Sequence, residues 1–253
     1  MADTMMPVAC DISASLPVLA AAGSATLAEQ DRSGRPWSRR AVLAGGTGAA
    51  LVALVRPVRA LELPAPLAFT VRRKGSVIGE HVATFADEGG TLRVESRVDL
   101  RVKLAFVTLF SFRQDAVDRF ENAVLVASDV RTDDDGERTR VEARAGDGEL
   151  RVAGPAGENR APLGVLTDLC FWDKRIVLQD QLVDSKTGEV SPLQRSAGAR
   201  ETIPVLGSRV TAERFDLVTS NRRSGTVWYD GSGRLVRAVV KTRGEVLDYE
   251  LQA

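Results

Sequence analysis

Between Thr91 and Leu104 apolar and charged side chains alternate almost residue by residue. Leu92, Val94, Val98, Leu100, Val102 and Leu104 share one phase, and Arg93, Glu95, Arg97, Asp99, Arg101 and Lys103 share the other. Successive strand residues point to opposite faces, so the pattern predicts a strand with one side on a core and one in water. Leu92, Val94, Val98, Val102 and Phe106 are expected inside, and Arg93, Glu95, Arg97 and Arg101 outside. Past Lys103 the rule changes. Phe106, Phe110 and Phe112 keep the inward phase, while Ala105, Val107 and Leu109 replace the outward charges. Nothing in Thr91–Arg113 resembles a tight turn, so the stretch reads as two collinear strands or one long strand bent by a bulge. Its second half is then expected to be covered on both faces. Three covers fit: the segment Pro162–Trp172, an apolar ligand in a pocket bordered by Trp228 or Tyr229, or a docked partner.

The rest of the chain beyond residue 60 has the same character. Leu67–Arg73 and Val77–Phe85 flank a turn at Lys74-Gly75-Ser76. Further turns are expected at Asp87–Gly90, Asp133–Gly136, Gly146–Gly148, Lys186–Gly188, Asn221–Gly225, Asp230–Gly233 and Arg243–Gly244, where Gly, Asp and Asn accept the backbone that hairpins need. Short strands with this punctuation predict an all-β antiparallel meander of about ten to twelve strands, forming a twisted sheet or half-open β-barrel. Helix is scarce; Pro162–Asp173 is the candidate for one short helix or loop crossing the sheet.

The first sixty residues follow different rules. Ser38-Arg39-Arg40-Ala41-Val42-Leu43-Ala44 precedes an apolar run, Ala41–Val55, of 15 residues that includes Gly45, Gly46 and Gly48. A membrane-spanning helix needs roughly 20 strongly apolar residues, so this run reads as a cleaved signal and not as a stable span. Paired arginines Arg39 and Arg40 mark the twin-arginine route, and Val58-Arg59-Ala60 presents small residues for cleavage after Ala60. The expected organisation is a removed signal peptide, 1–60, and a single β domain, 61–253, located in the periplasm or otherwise outside the cytoplasm. Its partners during export would be the twin-arginine translocase and a signal peptidase.

Removal of residues 1–60 takes 6 of 34 basic and 4 of 34 acidic residues, leaving a net charge of −2. That balance offers no electrostatic case for nucleic acid or an anionic membrane. Cys10 leaves with the signal, so Cys170 has no intramolecular disulfide partner despite the oxidising compartment.

Candidate chemistry is sparse. His81 is the chain's one histidine and lacks the companions of a usual metal site; it reads as a partly buried strand residue in phase with Val77, Gly79, Ala83 and Phe85. Cys170 would need an activating base to act as a nucleophile, and His81 is the sole candidate. Asp133-Asp134-Asp135-Gly136-Glu137 lacks the spacing of a calcium loop and reads as a solvated hairpin tip. Adjacent Trp228 and Tyr229 must face opposite ways on a strand. No catalytic residue, metal or cofactor is expected. Phe106, Phe110, Trp172, Trp228 and Tyr229 are the candidates to line a ligand site.

Several segments, in order, carry a family resemblance: Val77-Ile78-Gly79-Glu80-His81, Arg101–Val107, Trp172 before a Gly-turned hairpin, and Thr226-Val227-Trp228-Tyr229-Asp230 with Gly233–Val236. The chain resembles a family of uncharacterised twin-arginine-exported bacterial proteins classed as a domain of unknown function. In strand pattern it is also loosely similar to periplasmic lipoprotein carriers, half-barrels that bind acyl chains. That likeness is one of fold and carries no binding motif; the leading reading is a non-enzymatic carrier or binding protein for an apolar, lipid-like ligand. The alternative is a periplasmic protein-interaction module, and the third reading is an enzyme using Cys170 or His81.

Overall fold

Among the described residues, six two-residue turns set the architecture. Lys74–Gly75, Asn122–Ala123, Asp135–Gly136, Asp147–Gly148, Leu206–Gly207 and Arg243–Gly244 each place two successive residues at positive φ. The twist of such turns matches that of a two-stranded antiparallel ribbon, so each folds its flanking strands into a hairpin. Asn122–Ala123 and Leu206–Gly207 are not among the turns the sequence pattern marks, although Asn122 and Gly207 are themselves turn-forming residues.

A computed structural model describes residues 62–104, 107–220 and 223–252. The expected export signal, with Arg39, Arg40 and Ala60, lies outside the described residues, as does Phe106. Eight strands follow in succession: β1 Leu67–Arg73, β2 Ser76–Asp87, β3 Thr91–Leu104, β4 Val107–Glu121, β5 Val124–Asp134, β6 Glu137–Gly146, β7 Glu149–Gly154 and β8 Gly157–Pro162. A short β9, Leu166–Thr167, leads into two 3-10 turns, Asp168–Trp172 and Lys174–Leu178. Next come β10 Gln181–Val183, β11 Val190–Pro192, β12 Gln194–Arg195 and β13 Ala199–Val205. The chain closes with β14 Ser208–Ser220, β15 Arg223–Tyr229, β16 Leu235–Thr242 and β17 Glu245–Leu251.

The fold is all-β, an antiparallel meander with no helix beyond the 3-10 turns among the described residues. The long sheet runs β12-β14-β15-β16-β17-β1-β2-β3-β4-β5-β6-β7-β8, with β13 also paired to β14. The first and last strands meet, Phe69 opposite Leu251. A small sheet, β9 to β11, touches β8 and β14 and so bridges the two ends of the long one. The extra strands relative to expectation are mostly the short pieces between β9 and β13.

The alternation read from the sequence survives in β3. Val94, Val98 and Leu100 are buried, Leu92, Val102 and Arg93 are half-buried, and Glu95, Arg97 and Arg101 are exposed. The continuation past Lys103 does not survive. The chain reverses there, with Leu104 opposite Val107 and Leu100 opposite Phe112, so β3 and β4 form a hairpin instead of one collinear run. Outward charges then pair across strands, Arg97 to Asp115 at 2.7 Å, an arrangement that a single long strand would deny them. A register shift at Val102/Lys103 makes Leu109 the extra residue of a bulge. Val107 and Leu109 are 61% and 56% exposed; they are not covered on both faces. The Pro162–Trp172 segment packs elsewhere.

A second bulge explains the Val77–His81 motif. Val71 pairs with Gly79 and Arg72 with Val77, leaving Ile78 as the extra residue. A Cβ on Gly79 would lie 1.9 Å from the Asp99 carbonyl oxygen, so no larger residue fits. The bulge flips the phase. His81 and Ala83 face the core, but Val77, expected on the same side, is exposed and Ile78 turns inward.

Candidate functional site

Register decides which strand ends surround the interior. The start of β1, the end of β2, the end of β4 and the end of β15 converge at one end of the barrel, and the first 3-10 turn lies between them. There Trp172 stands edge-on to Phe85, 4.9 Å between ring centroids, and to Phe120, 5.8 Å. The Tyr229 hydroxyl donates to the Phe171 carbonyl at 2.7 Å. Leu169, Cys170, Ile176 and Val177 fill the space beneath. This end is packed shut.

The opposite halves of the same strands enclose a cavity of about 570 Å³. Val98 and Leu100 of β3, Phe110 and Phe112 of β4, Val227 of β15 and Leu247 of β17 supply apolar wall. The floor is His81, Phe171 and Tyr249, their rings edge-to-face at 5.1 to 6.0 Å. Leu109 and Arg243 also line the space and are largely exposed, so the cavity reaches solvent at the hairpin end.

Polar groups on this lining fall into three settings. His81 is buried, its Nδ1 has no hydrogen-bond partner, and burial draws its pKa down to about 4, so the imidazole is neutral near neutral pH. Gln114 Nε2 donates to Thr132 Oγ1 at 2.9 Å and to Ser185 Oγ at 3.2 Å. The third setting is ionic. Arg73 forks onto Glu245 at 2.9 and 2.5 Å. Arg223 is held between Asp168 and Asp184, and the charge of Asp168 raises its pKa. Asp134 accepts from Lys186 Nζ at 2.5 Å and from both terminal nitrogens of Arg243. Burial works against the Asp134 charge, yet Arg243 and Lys186 hold the carboxyl below its usual range.

Of the residues singled out in the sequence, Phe110 is on the cavity wall and His81 on its floor. Trp172 and Tyr229 are in the packed end and do not line the cavity; their rings are consumed by Phe85, Phe120 and Phe215. Trp228 does face away from Tyr229. It sits on the outer side with Ile203, Ala212 and Val236, donates Nε1–H to Glu201, and lies 5.3 Å beneath the Arg237 guanidinium. Cys170 and His81 are not brought together as a pair. The thiol's polar neighbours are Thr167 Oγ1 at 3.2 Å and Asp118 Oδ2 at 3.7 Å, and burial pushes its pKa well up. Among the described residues no group of three or more His, Cys, Asp or Glu side chains is placed to hold a metal. The Asp133–Glu137 tip is not wholly solvated, because Asp134 is buried. Asp134, Lys186, Arg223, Arg243 and Tyr249 are site residues that sequence reasoning missed. The first four stood in or near turn motifs, which hide any longer-range role.

The family model for DUF6134, a domain of unknown function, matches residues 69–252, more than half of the chain. The chain belongs to the DUF6134 family. No curated protein matches the sequence. The DUF6134 fold is similar to the crystal structure of a beta-barrel-like protein of DUF1849, also a domain of unknown function, from Brucella abortus. That likeness has a TM-score of 0.54 at 13% identity and covers 75% of this chain and 96% of the other. It supports a barrel-like reading of this DUF6134 domain and extends no further than the fold.

Proposed function

We propose that the domain is a non-enzymatic carrier or binding protein for one apolar, lipid-like molecule, held in the cavity between the strands. The single observation that carries this reading is the cavity itself. Its volume of about 570 Å³ lies in the usual range for small-molecule sites, and its mostly apolar wall with a few convergent polar groups is their usual composition. Catalysis through Cys170 draws no support from the geometry, since the thiol is buried and held well above its ordinary pKa. The twin-arginine motif at Arg39 and Arg40 supports export, cleavage after Ala60 and work outside the cytoplasm.

Native mass spectrometry of protein purified from the periplasm tests the reading, with displacement of the neutral probe Nile red as the solution assay. A retained lipid-like mass and saturable probe binding are expected. Val240→Trp, which fills the space, should abolish probe binding while the far-ultraviolet spectrum stays that of wild type. A protein that carries nothing and binds no apolar probe overturns the proposal. The rival reading, a protein-interaction module, rests on Val77, Val107 and Leu109, each more than half exposed. It gains if the purified protein is empty and Leu109→Asp abolishes co-purification of a periplasmic protein.

A further inference from the structure

We propose that the cavity takes an anionic amphiphile, its aliphatic chain against the apolar wall and its oxyanion head on Lys186 and Arg243 at the open end. The inference rests on the binding reading above and names the chemistry of its ligand.

The argument begins from the position of Asp134. It ends β5, with four strands between it and β17 along the sheet order β17-β1-β2-β3-β4-β5, and yet it is bonded to Arg243 in the β16–β17 turn. The pair therefore spans the lumen and does not run along the wall. Lys186 arrives from a third direction, the Asp184–Gly188 turn, and bonds the same carboxylate. Two cations thus share one carboxylate at the end of the cavity, and all three line it. The next anion, Glu137, is 3.6 Å from Lys186 on a largely exposed side chain.

The other lining cations are differently placed. Arg73 is matched by Glu245 in a two-point fork, and Arg223 lies between two carboxylates. Lys186 and Arg243 instead share the one buried carboxylate of Asp134, and the exposed Glu137 balances the second charge. What is spare there is donor capacity. An arginine has five N–H donors and a lysine three, and Asp134 engages Arg243 through two nitrogens and Lys186 through one. A carboxylate or phosphate head accepts such donors in charge-assisted bonds and would compete with Asp134 for them. An alcohol head would not, and an ammonium head would be repelled.

The test compares dodecanoate, dodecyl phosphate, dodecanol and dodecyltrimethylammonium by displacement of Nile red from the purified protein at low salt. At least one of the two anions should bind about tenfold or more tightly than dodecanol, the scale of a charge-assisted hydrogen bond. Which anion is preferred identifies the head as carboxylate or phosphate. Lys186→Met and Arg243→Gln should bring the anion down towards dodecanol without changing dodecanol itself. Asp134→Asn should move the other way and tighten the anion severalfold, since it removes the competitor. Should Arg243→Gln, which leaves the buried Asp134 with Lys186 alone, unfold the domain, Asp134→Asn with Arg243→Gln removes both charges and keeps the comparison. Equal binding of anion and alcohol by wild type, or a preference that survives loss of Lys186 and Arg243, overturns the head-group inference and leaves the apolar cavity standing. Failure of all four to displace a bound probe, or of the probe to bind, overturns the reading beneath it.

Discussion

At the closed end of the barrel Trp172, Phe85 and Phe120 meet edge-to-face, and Tyr229 reaches the backbone of Phe171. At the open end the same strands present Val98, Leu100, Val227, Ala238 and Leu247 to one another and leave about 570 Å³ between them. Aromatic residues bury roughly 150–250 Å² each and can meet across a lumen, and at the closed end Trp172 does so with Phe85 and Phe120. Phe110 and Phe112 line the open end too but meet no ring across it. The insertion of two 3-10 turns at one end, and of charged turns at the other, completes the contrast. One end is filled and the other keeps space free.

Truncation should expose that division most strongly. Phe120→Ala is expected to cost about 3–5 kcal/mol, the usual range for a large core aromatic, since Phe120 is fully buried at the closed end, whereas Phe110→Ala at the cavity wall should cost about 1 kcal/mol. Urea denaturation measures both. Equal losses would mean that the open half is packed as tightly as the closed one.

Acid titration separates the ends in a different way. Asp118, in the closed core, has its Oδ1 unpaired, and burial raises its pKa from 3.8 to about 6. The folded state therefore favours the protonated form, and stability is lost as pH rises from about 4 through about 6. His81, on the cavity floor, is lowered from 6.5 to about 4, so stability is lost as pH falls through that interval. Each shift corresponds to about 3 kcal/mol at its limit. Asp118→Asn should stabilise the protein above pH 6 and gain nothing below pH 4. His81→Phe should gain most at pH 4 and least above pH 6.5. Parallel pH–stability curves for wild type and both variants would show that neither group is buried as described.

Smaller effects test the strand register that both ends share. Val98→Ala should cost on the order of 1–3 kcal/mol from lost transfer energy and residual cavity, and Arg97→Ala, its exposed neighbour, no more than about 0.5 kcal/mol. The smallest change is expected at the rim. Leu109→Asp should stay within about 0.5 kcal/mol of wild type by thermal denaturation, because the side chain is already 56% exposed. A large loss there would mean that the β3–β4 hairpin is covered after all.

Much of the wall was legible in local pattern. Alternation in Thr91–Leu104 and the Gly-bearing turns follow from residues two to four apart, and β1 is found within its expected bounds, Leu67–Arg73. The reversal after Leu104 was not legible, because an alternating pattern continues in phase through a hairpin whose connection carries no Gly, Asn or Asp. The sequence offers Trp172 and Tyr229 as ligand-lining because it holds no signal for their partners, which lie on strands far away in the chain. Asp134 reads as solvated in the sequence because a turn motif describes its neighbours at Asp135–Gly136 and not the direction of its own side chain.

The amino-acid sequence by itself determined strand, turn and the inward or outward phase of most side chains, since each depends on a few consecutive residues and the pleat of the backbone. Tertiary structure alone decided which end of the barrel is filled and which is hollow, and that Asp134 meets Arg243 and Lys186 over the opening. Those outcomes depend on the register between strands as distant as β1 and β17 and on how the sheet closes, which no local window contains.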